Sequence, residues 1–273
     1  MRIDLHTHSR VSDGTDTPAG VIRAAVAAEL DVVALTDHDT TAGWAEAREA
    51  ADAAGIELVP GVEISARDRG VSVHLLGLWL DESNAAIQEI FARTRTARID
   101  RAQEMVDRLS RDYPITWESV TEHSEDAETV GRPHIADALV AAGVVENRDA
   151  AFSELLIPES PYYVPHYAPE ILEAIAAVRA AGGVPVFAHP GADTRGRVVP
   201  TSAIERMADG GLLGIEVDHR DHSPRQRERL ARIARQFALI PTGSSDYHGT
   251  GKQNRIGENL TNVEAFERLK AAR

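Results

Sequence analysis

The sequence predicts an α/β protein, a seven-stranded βα barrel with a helical insertion between the fourth and fifth strands. Seven short apolar segments alternate with helical patterns, as strands of a parallel sheet do. Nearly all of them carry His, Asp or Glu at or just past the carboxyl end, which favours a barrel with its site on that face. An open doubly wound sheet would bring together only the strand ends near its switch point. The alternation stops between residues 83 and 167, where only helical patterns occur.

The composition is that of a soluble globular chain. It has 273 residues, of which 43% are hydrophobic and 26% charged, enough for a sizeable core. Cysteine is absent, so any metal must be held by nitrogen and oxygen ligands. The formal charge of −14 argues against binding long nucleic acid, which requires a basic face. The sequence has neither a spanning apolar run nor a signal-peptide pattern, so we expect a cytoplasmic protein without a membrane partner.

The first strand opens the stretch DLHTHSRVSDG. His6 and His8 are two residues apart, so on a strand both imidazoles point to the same side. Two converging neutral imidazoles form a pair of ligands for a borderline divalent metal. Asp13 lies in the Ser-Asp-Gly turn that follows and can fold back over the strand end. A surface or interface pair of histidines is the alternative for so short a motif, so further ligands are required.

The next three strands also carry residues that could bind a metal. A helix is predicted from Pro18 to about residue 30, and the apolar strand VVAL then ends in Asp-His-Asp, with His38 at its centre. After a second helix, which ends at Gly55, the strand IELVPGVEIS carries Glu63 near its end. The fourth strand, VSVHLLGLWL, carries His74 within it.

Three more strands follow the insertion. GVPVFAHPG ends in His189, GIEVDHRDH ends in a segment with His219 and His222, and FALIPTGSSDYHG ends in Asp246 and His248. Helical patterns separate and follow these strands, over residues 169–181, 201–209, 224–237 and 263–270.

The insertion is predicted to be entirely helical. Residues 84–111 are typical of one long, charge-rich helix, and 132–142 and 149–156 of shorter ones. We interpret residues 83–167 as a lid or substrate-facing subdomain, and residues 1–82 with 168–273 as the catalytic barrel. The segment GRPHIA places Arg132 and His134 at a helix start, where an exposed cap is the alternative interpretation.

Nine candidate metal ligands come from far-apart segments. They are His6, His8, Asp13, His38, Glu63, His74, His189, Asp246 and His248. Six imidazoles and three carboxylates exceed the needs of one tetrahedral ion, so a cluster of two or three metals is predicted. Glu63, on a middle strand, is the natural bridging carboxylate. His123 and His166 are expected to be ordinary core or surface residues.

Six motifs follow one another along the chain: HTHSRVSDG, TDHDT, GVEIS, HLLG, AHPG and SSDYHG. With these motifs in this order, the chain resembles the polymerase and histidinol phosphatase (PHP) family from residue 1 to about 250. GRPHIA and EVDHRDHSP resemble the subgroup of small PHP phosphoesterases that act on nucleotides. The resemblance implies that the barrel is a distorted (β/α)7 barrel holding three divalent metals.

The resemblance also implies which residues hold each metal. By matching position, the first would take His6, His8, Glu63 and Asp246, the second Glu63, His74 and His189, and the third Asp13, His38 and His248. Histidinol phosphatases of the family often have histidine at the position of Asp13. The departure disfavours histidinol phosphate as the substrate and favours a harder metal, such as manganese, at the third site.

Several cations held together suit a substrate that carries negative charge, so we expect a metal-dependent phosphoric ester hydrolase using Mn²⁺, Fe²⁺ or Zn²⁺. A hydroxide bridging the metals at Glu63 would attack phosphorus in line. Arg132 can form forked hydrogen bonds with phosphate oxygens. His134, His219 and His222 can bind a second phosphate or protonate the leaving group, and of the four residues we favour Arg132 and His222.

The resemblance makes a small phosphorylated nucleotide the expected substrate, with a nucleoside 3′,5′-bisphosphate as the best match. A 5′–3′ exonuclease acting on short RNA or DNA oligonucleotides is the nearest alternative. A non-catalytic metal- or nucleotide-binding module would lack ligands, and none of the nine is missing. An amide or lactone hydrolase of similar fold usually keeps a carboxylated lysine, but the two lysines, Lys252 and Lys270, are not on interior strands.

Overall fold

The computed structural model describes residues 1–122, 130–165 and 167–273. His123 and His166, for which the sequence predicts ordinary core or surface roles, lie outside the described residues. Seven strands form one sheet whose spatial order follows the chain order. The strands are β1 (Ile3–Asp4), β2 (Val32–Leu35), β3 (Glu57–Asp68), β4 (Val71–Leu78), β5 (Val184–Ala188), β6 (Gly214–Asp218) and β7 (Ile240–Gly243).

The described residues also form ten α-helices, which connect the strands and fill the predicted insertion. They are α1 (Pro18–Ala27), α2 (Trp44–Ala54), α3 (Ala85–Leu109), α4 (Trp117–Thr121), α5 (Arg132–Ala141), α6 (Arg148–Glu154), α7 (Ile171–Ala180), α8 (Thr201–Asp209), α9 (Pro224–Gln236) and α10 (Val263–Ala271). The long insertion helix predicted over residues 84–111 is confirmed as α3, whose first turn is capped by the Asn84 side chain. The short helix α4 was not predicted.

One strand runs against the predicted direction. β4 pairs antiparallel with both β3 and β5, whereas the other neighbouring pairs are parallel. The cause is the two-residue turn between β3 and β4, where Arg69 and Gly70 both have positive φ (49° and 82°), as a type I′ hairpin turn requires. In this register His74 lies opposite Ser65 of β3 and Ala188 of β5. Because β4 is reversed, a residue near its start reaches the edge where its parallel neighbours end.

The sheet closes nearly into a barrel through polar contacts between its first and last strands. Thr7 and Tyr247 form an isolated parallel bridge, and His8 N–H donates to the Tyr247 carbonyl at 2.8 Å. The buried carboxylate of Asp4 accepts hydrogen bonds from the main-chain N–H groups of Ser245 and Gly257, at 3.0 and 2.8 Å. The predicted fold class, a distorted seven-stranded βα barrel, is confirmed, with the corrected direction of β4.

Apolar side chains of the barrel divide between the two faces of the strands. On β2, Val33 and Leu35 belong to the cluster that also contains the surrounding helices, whereas Val32 and Ala34 belong to a second cluster shared with other strands and α10. A strand covered on both faces in this way reads as a continuous apolar run. No helix among the described residues is long and apolar enough to cross a membrane.

A third apolar cluster is made by the helices between β4 and α7. It draws on the second half of α3, including Met105 and Leu109, and on α5 through Ile135 and Leu139. The first half of α3 instead contributes to the cluster between the sheet and its surrounding helices. We propose to keep residues 83–167 as an insertion subdomain, with α3 as the element that joins it to the barrel.

Candidate metal centre

The nine predicted ligands meet at one edge of the sheet. They come from loops after β1, β2, β5 and β7 and from positions within β3 and β4, yet each lies within contact distance of another member of the set. Three subsets have donor atoms close enough together to hold an ion: His6, His8, Glu63 and Asp246; His8, Asp13 and His38; and His38, Glu63 and His74.

The first subset has the spacing of a tetrahedral site. His6 Nε2 and His8 Nε2 are 3.0 Å apart, and they lie 3.1 and 3.0 Å from Glu63 Oε2. Asp246 Oδ1 is 3.6 Å from the first of these nitrogens and 3.4 Å from the second. Donors bound at about 2.0 Å to one tetrahedral ion are separated by about 3.3 Å. The four side chains therefore already surround a volume of the right size.

Glu63 joins this subset to a second group of histidines. Its Oε2 atom faces His6 and His8, whereas its Oε1 atom lies 2.7 Å from His74 Nδ1 and 2.9 Å from His189 Nε2. His38 Nδ1 also lies 3.4 Å from Oε2, so one carboxylate presents its two oxygens to different sets of imidazoles, which is the geometry of a bridge between two cations.

The third group surrounds Asp13. Its Oδ1 atom lies 3.2 Å from His248 Nε2 and 3.6 Å from His8 Nδ1, and its Oδ2 atom lies 3.7 Å from His38 Nε2. The turn that carries Asp13 is fixed by Asp37, which accepts hydrogen bonds from the Ser9 and Ser12 hydroxyls, both at 2.7 Å.

Buried atoms without hydrogen-bond partners indicate that this set of donors fits metals. His8 Nδ1 and His248 Nε2 are buried, and neither makes a hydrogen bond within the part of the chain that the structure describes. Such orphaned groups are costly unless a ligand completes them. With imidazole nitrogens and carboxylate oxygens as donors, the residues suit divalent manganese, iron or zinc.

The electrostatics favour charged carboxylates at the centre. Burial alone would raise the pKa of Glu63, but the surrounding imidazoles of His74, His38 and His6 hold it well below its usual range. Burial opposes charge on Asp246 as well, yet Lys252 and Arg195 lower its pKa well below the ordinary value. Deprotonated carboxylates are the form that binds metal ions.

Glu216, which the sequence analysis did not single out, supports two of the predicted ligands. It is completely buried in β6, accepts a hydrogen bond from the His189 main-chain N–H at 2.6 Å, and is hydrogen-bonded by the Ser244 hydroxyl. His6 Nδ1 lies 2.9 Å from Glu216 Oε1. A proton on that nitrogen leaves Nε2 unprotonated and aimed at the cluster, as in the carboxylate–histidine–metal arrangement.

Asp246 is held from its outer side by two cations that sequence reasoning also missed. Its Oδ2 atom accepts hydrogen bonds from Arg195 at 2.7 Å and from Lys252 at 3.1 Å. The backbone of Asp246 has a positive φ (53°), as does that of His189 (φ 30°). Strained main-chain conformations of non-glycine residues tend to occur at functional sites. The basic residues leave Oδ1 as the oxygen that faces the histidines.

The two predicted substrate residues of the insertion differ in their contacts. His134 is buried, and its Nδ1 accepts a hydrogen bond from the Gly131 N–H at 3.1 Å, so its proton is on Nε2. Burial lowers its pKa. Arg132 donates from Nη1 to the Leu156 carbonyl at 2.9 Å, and its guanidinium lies over the ring of Phe152. Contact between Arg132 and substrate remains a prediction.

The hydrogen bonds of His222 argue against the role predicted for it. Its Nδ1–H donates to the Val217 carbonyl at 2.9 Å, and its Nε2 accepts from the Gly191 N–H at 3.0 Å. Both ring nitrogens are therefore used by the main chain. His219 accepts at Nδ1 from the Asp221 N–H, while its buried Nε2 has no hydrogen bond among the described residues and lies 3.7 Å from Asp246 Oδ2. The nitrogen available to the site belongs to His219.

The insertion contacts the barrel mouth at the loops that follow the neighbouring strands β1 and β2. Arg95 and Arg98 of α3 contact Asp39, which follows β2, through its carbonyl at 2.9 Å and its carboxylate at 3.1 Å. At the loop after β1, Arg148 of α6 forms two 2.6 Å hydrogen bonds with Asp137 and approaches the Asp13 carbonyl at 3.3 Å. The candidate centre therefore lies beneath an arginine-rich cover.

The family model described as the PHP domain matches residues 4–156. Curated relatives align over nearly the whole chain. A 3′,5′-nucleoside bisphosphate phosphatase of Chromobacterium violaceum is 35% identical over 93% of this chain and 89% of its own length. A 5′-3′ exoribonuclease of Haemophilus influenzae is 34% identical over 97% of this chain and 96% of its own. A phosphoribosyl 1,2-cyclic phosphate 1,2-diphosphodiesterase of Eggerthella lenta is 33% identical, with 93% and 97% covered.

A solved structure agrees in detail with the fold. The crystal structure of a candidate metal-dependent phosphoesterase from Bifidobacterium adolescentis superposes with a TM-score of 0.96 and 47% identity, covering 99% of this chain and 96% of that one. The fold and its buried His, Asp and Glu cluster define the class: this chain is a metal-dependent phosphoesterase. It belongs to the PHP domain family.

Proposed function

We propose that this chain removes a phosphate group from a small nucleotide, with a nucleoside 3′,5′-bisphosphate as the preferred substrate. The observation that supports the proposal most strongly is the position of the Glu63 carboxylate among the histidines. Its two oxygens face separate sets of imidazoles, which suits cations held side by side. A phosphate ester is the substrate whose charge matches such a pair.

The metal ligands are proposed to be the nine residues predicted from the sequence, in three sets that share Glu63 between the first and second. His6, His8, Glu63 and Asp246 form the first set, Glu63, His74 and His189 the second, and Asp13, His38 and His248 the third. Two or three ions of Mn²⁺, Fe²⁺ or Zn²⁺, when bound, would polarise the phosphoryl oxygens and provide the nucleophile.

Side chains around the metals would orient the ester and its leaving group. Arg195 and Lys252, which hold the outer oxygen of Asp246, bring positive charge to the mouth of the site. Arg132 and His134 at the start of α5 are proposed to contact the substrate, as the sequence predicts. His219 Nε2 makes no hydrogen bond within residues 1–122, 130–165 and 167–273, so His219 is better suited than His222 to give a proton to the leaving alkoxide.

The cover over the site favours a small substrate. Contacts from Arg95 and Arg98 to Asp39, and from Arg148 to Asp13, connect the insertion to the neighbouring loops that follow β2 and β1. The net charge of −14 also disfavours a long polyanion. The 35% identical relative named as a bisphosphate phosphatase supports this choice.

A 5′–3′ exonuclease acting on short oligonucleotides is the second candidate. Its support is the 34% identical relative named as an exoribonuclease, which aligns over nearly all of both chains. Such a substrate also ends in a phosphate, so the same metals and basic residues would serve.

The test compares the two substrates with one metal-loaded sample. We expect manganese-loaded protein to release inorganic phosphate from adenosine 3′,5′-bisphosphate with a kcat/KM at least about tenfold above that for a 5′-phosphorylated trinucleotide. Metal content is measured on the same sample. Faster stepwise shortening of the trinucleotide would reverse the order of the candidates. No phosphate release from either substrate by fully loaded protein would remove both.

A further inference from the structure

The seam between the first and last strands of the barrel differs from the other strand junctions. Neighbouring strands of the sheet pair over two or more residues. The segments that follow β1 and β7 instead meet at an isolated bridge between Thr7 and Tyr247, where His8 N–H donates to the Tyr247 carbonyl at 2.8 Å. Contacts between the loops beyond these strands therefore add to the closure of the barrel at its mouth.

Tyr247 makes one of these loop contacts with its side chain. It lies in the chain between Asp246 and His248, which are both proposed metal ligands. Its hydroxyl donates to Asp16 Oδ2 at 2.6 Å. Asp16 belongs to the loop after β1 and lies three residues beyond Asp13, another proposed ligand. Tyr247 thus binds the loop after β1 through its hydroxyl and the end of the first strand through its carbonyl.

Thr15 forms a second contact between the same two loops. Its N–H donates to the His248 carbonyl at 3.1 Å, and its hydroxyl accepts from the Thr250 N–H at 2.8 Å. Gly249 lies between these two contacts with a positive φ (64°), and a Cβ atom at this position would overlap the Thr15 hydroxyl. The close approach of the two loops therefore requires a glycine here.

The third proposed metal set lies across this seam. Asp13 comes from the loop after β1 and His248 from the loop after β7, and Asp13 Oδ1 is 3.2 Å from His248 Nε2. His248 Nδ1–H donates to the Asp246 carbonyl at 2.9 Å, so Nε2 is the nitrogen that faces Asp13. That nitrogen is buried and makes no hydrogen bond among the described residues. The distance between the two donor atoms depends on how the two loops are held together.

The other two sets depend less on these loops. The second set lies on and after β3, β4 and β5, in the middle of the sheet. In the first set, His6 is supported by Glu216. Asp246 is held by Arg195 and Lys252. The third set takes two of its three ligands from the loops at the seam, so it should respond most to a loss of seam contacts.

We propose that Tyr247 is a positioning residue for the third metal ion. Through Asp16 it holds the loop that carries Asp13 against the loop that carries His248, and so it sets the distance between their donor atoms. The inference rests on the ligand sets of the proposed function. By linkage, an ion bound between Asp13 and His248 also stabilises the closed seam.

The experiment measures manganese binding without substrate, by equilibrium dialysis and elemental analysis, on wild type and Tyr247→Phe. Phenylalanine keeps the ring and removes only the hydroxyl. Asp13→Ala removes a ligand of the third set, so the ion that this variant loses is the third ion. We expect the dissociation constant of that ion to rise about tenfold in Tyr247→Phe, while those of the other two rise less than about threefold.

Tyr162→Phe is the matched control. The Tyr162 hydroxyl donates to Asp112 Oδ2 at 2.8 Å, and both residues belong to the insertion. The variant therefore loses the same kind of hydrogen bond away from the seam. All three dissociation constants should stay within about twofold of wild type, because distant sites act independently.

Three results would overturn the inference: an unchanged affinity for the third ion in Tyr247→Phe, equal weakening of all three ions, or fewer than three ions bound by wild type. If Tyr247→Phe does not fold, hydrogen exchange of wild type decides the question. Filling the third site should slow exchange of the His8 and Thr15 main-chain amides by at least about threefold relative to the protein with two ions. Equal exchange rates in the two states would also overturn the inference.

Failure of the proposed function gives a different result, because these measurements contain no substrate. A wild type that binds three ions with this dependence on Tyr247 but releases phosphate from neither candidate substrate would keep the positioning role and lose the proposed function.

Discussion

At the mouth of the barrel, imidazoles surround buried carboxylates, whereas guanidinium groups line the insertion across from them. The barrel side is fixed by strand ends and by supporting contacts such as those of Glu216 with His6 and His189. The insertion side is attached through longer side chains, with Arg98 and Arg148 reaching across to the barrel loops.

The difference indicates a division of labour. Donor atoms of the barrel lie about as far apart as one ion's ligands do, so small displacements would disturb metal binding. The arginines of the insertion are not among the proposed metal ligands, and their proposed role is to contact the substrate. We therefore expect substitutions in the barrel to affect metal content and kcat, and substitutions in the insertion to affect KM and substrate choice. The following predictions test that division, beginning with the largest effect.

The strongest test is Glu63→Gln. An amide nitrogen cannot bind a cation, so one of the two groups that Glu63 joins would lose its shared ligand. We expect kcat/KM to fall by at least about 1,000-fold and bound metal to drop by one ion or more. Both are measured on one preparation by phosphate release and elemental analysis.

Glu57→Gln is the matched control, since Glu57 is the first residue of β3 and pairs at the surface with Lys270. Its activity and metal content should match wild type. Retention of full metal content and activity by Glu63→Gln would contradict the bridging role.

His219 and His222 provide a paired test within one loop. His219→Gln removes the buried Nε2 near Asp246, and we expect kcat to fall about 100-fold, as for loss of a proton donor. His222→Gln instead breaks two hydrogen bonds to the main chain, so the free energy of unfolding should fall by about 1–3 kcal/mol. In that variant kcat should change less than about threefold. Steady-state kinetics and urea unfolding on both variants give the comparison, and the opposite pattern would restore the sequence-based preference for His222.

Glu216→Gln tests the support beneath the ligands. Glu216 accepts from the His189 N–H and the Ser244 hydroxyl, and His6 Nδ1 contacts the same carboxylate. In the glutamine variant, the amide N–H group would face one of the donors that the carboxylate now accepts from, so the ligands above it would shift. We expect metal affinity to fall about 30-fold, measured by competition with a chelator. Glu205→Gln, a change at the exposed surface of α8, should leave affinity unaltered. Unchanged affinity in Glu216→Gln would mean that His6 is oriented by other contacts.

The sequence indicated the buried cluster of the candidate metal centre more completely than its surroundings, because each of the nine predicted ligands has a local signal. His6, His38, His189 and His248 all stand where an apolar segment ends, and such ends meet at one edge of a βα barrel. Glu216 lies inside the apolar strand GIEVD and was missed, although a carboxylate in a buried strand needs partners and is itself a signal.

Two other features depend on packing between distant segments. The sequence predicted α3 only as a charge-rich helix, and the burial of Arg98 and Arg101 follows from packing at the two ends of the helix, which local sequence does not show. The contact that argues against His222 comes from Gly191, a residue of another loop, whose N–H occupies one ring nitrogen. The tight turn at Gly70 is a local signal that β4 runs antiparallel to β3, but the alternation of strands and helices does not indicate the direction of β4.

Arg132→Ala addresses the insertion directly and has the smallest expected effect. The Arg132 guanidinium lies over Phe152 and donates to the Leu156 carbonyl, and both partners belong to the insertion. Neither contact involves one of the nine proposed metal ligands. We expect KM for adenosine 3′,5′-bisphosphate to rise about tenfold with little change in kcat, because one charge-assisted contact to phosphate is lost. Metal content should equal that of wild type, with Arg111→Ala, an exposed arginine beyond the end of α3, as the control. A loss of metal in Arg132→Ala would mean that the insertion helps to build the metal centre, and the division between chemistry in the barrel and selection in the insertion would then be wrong.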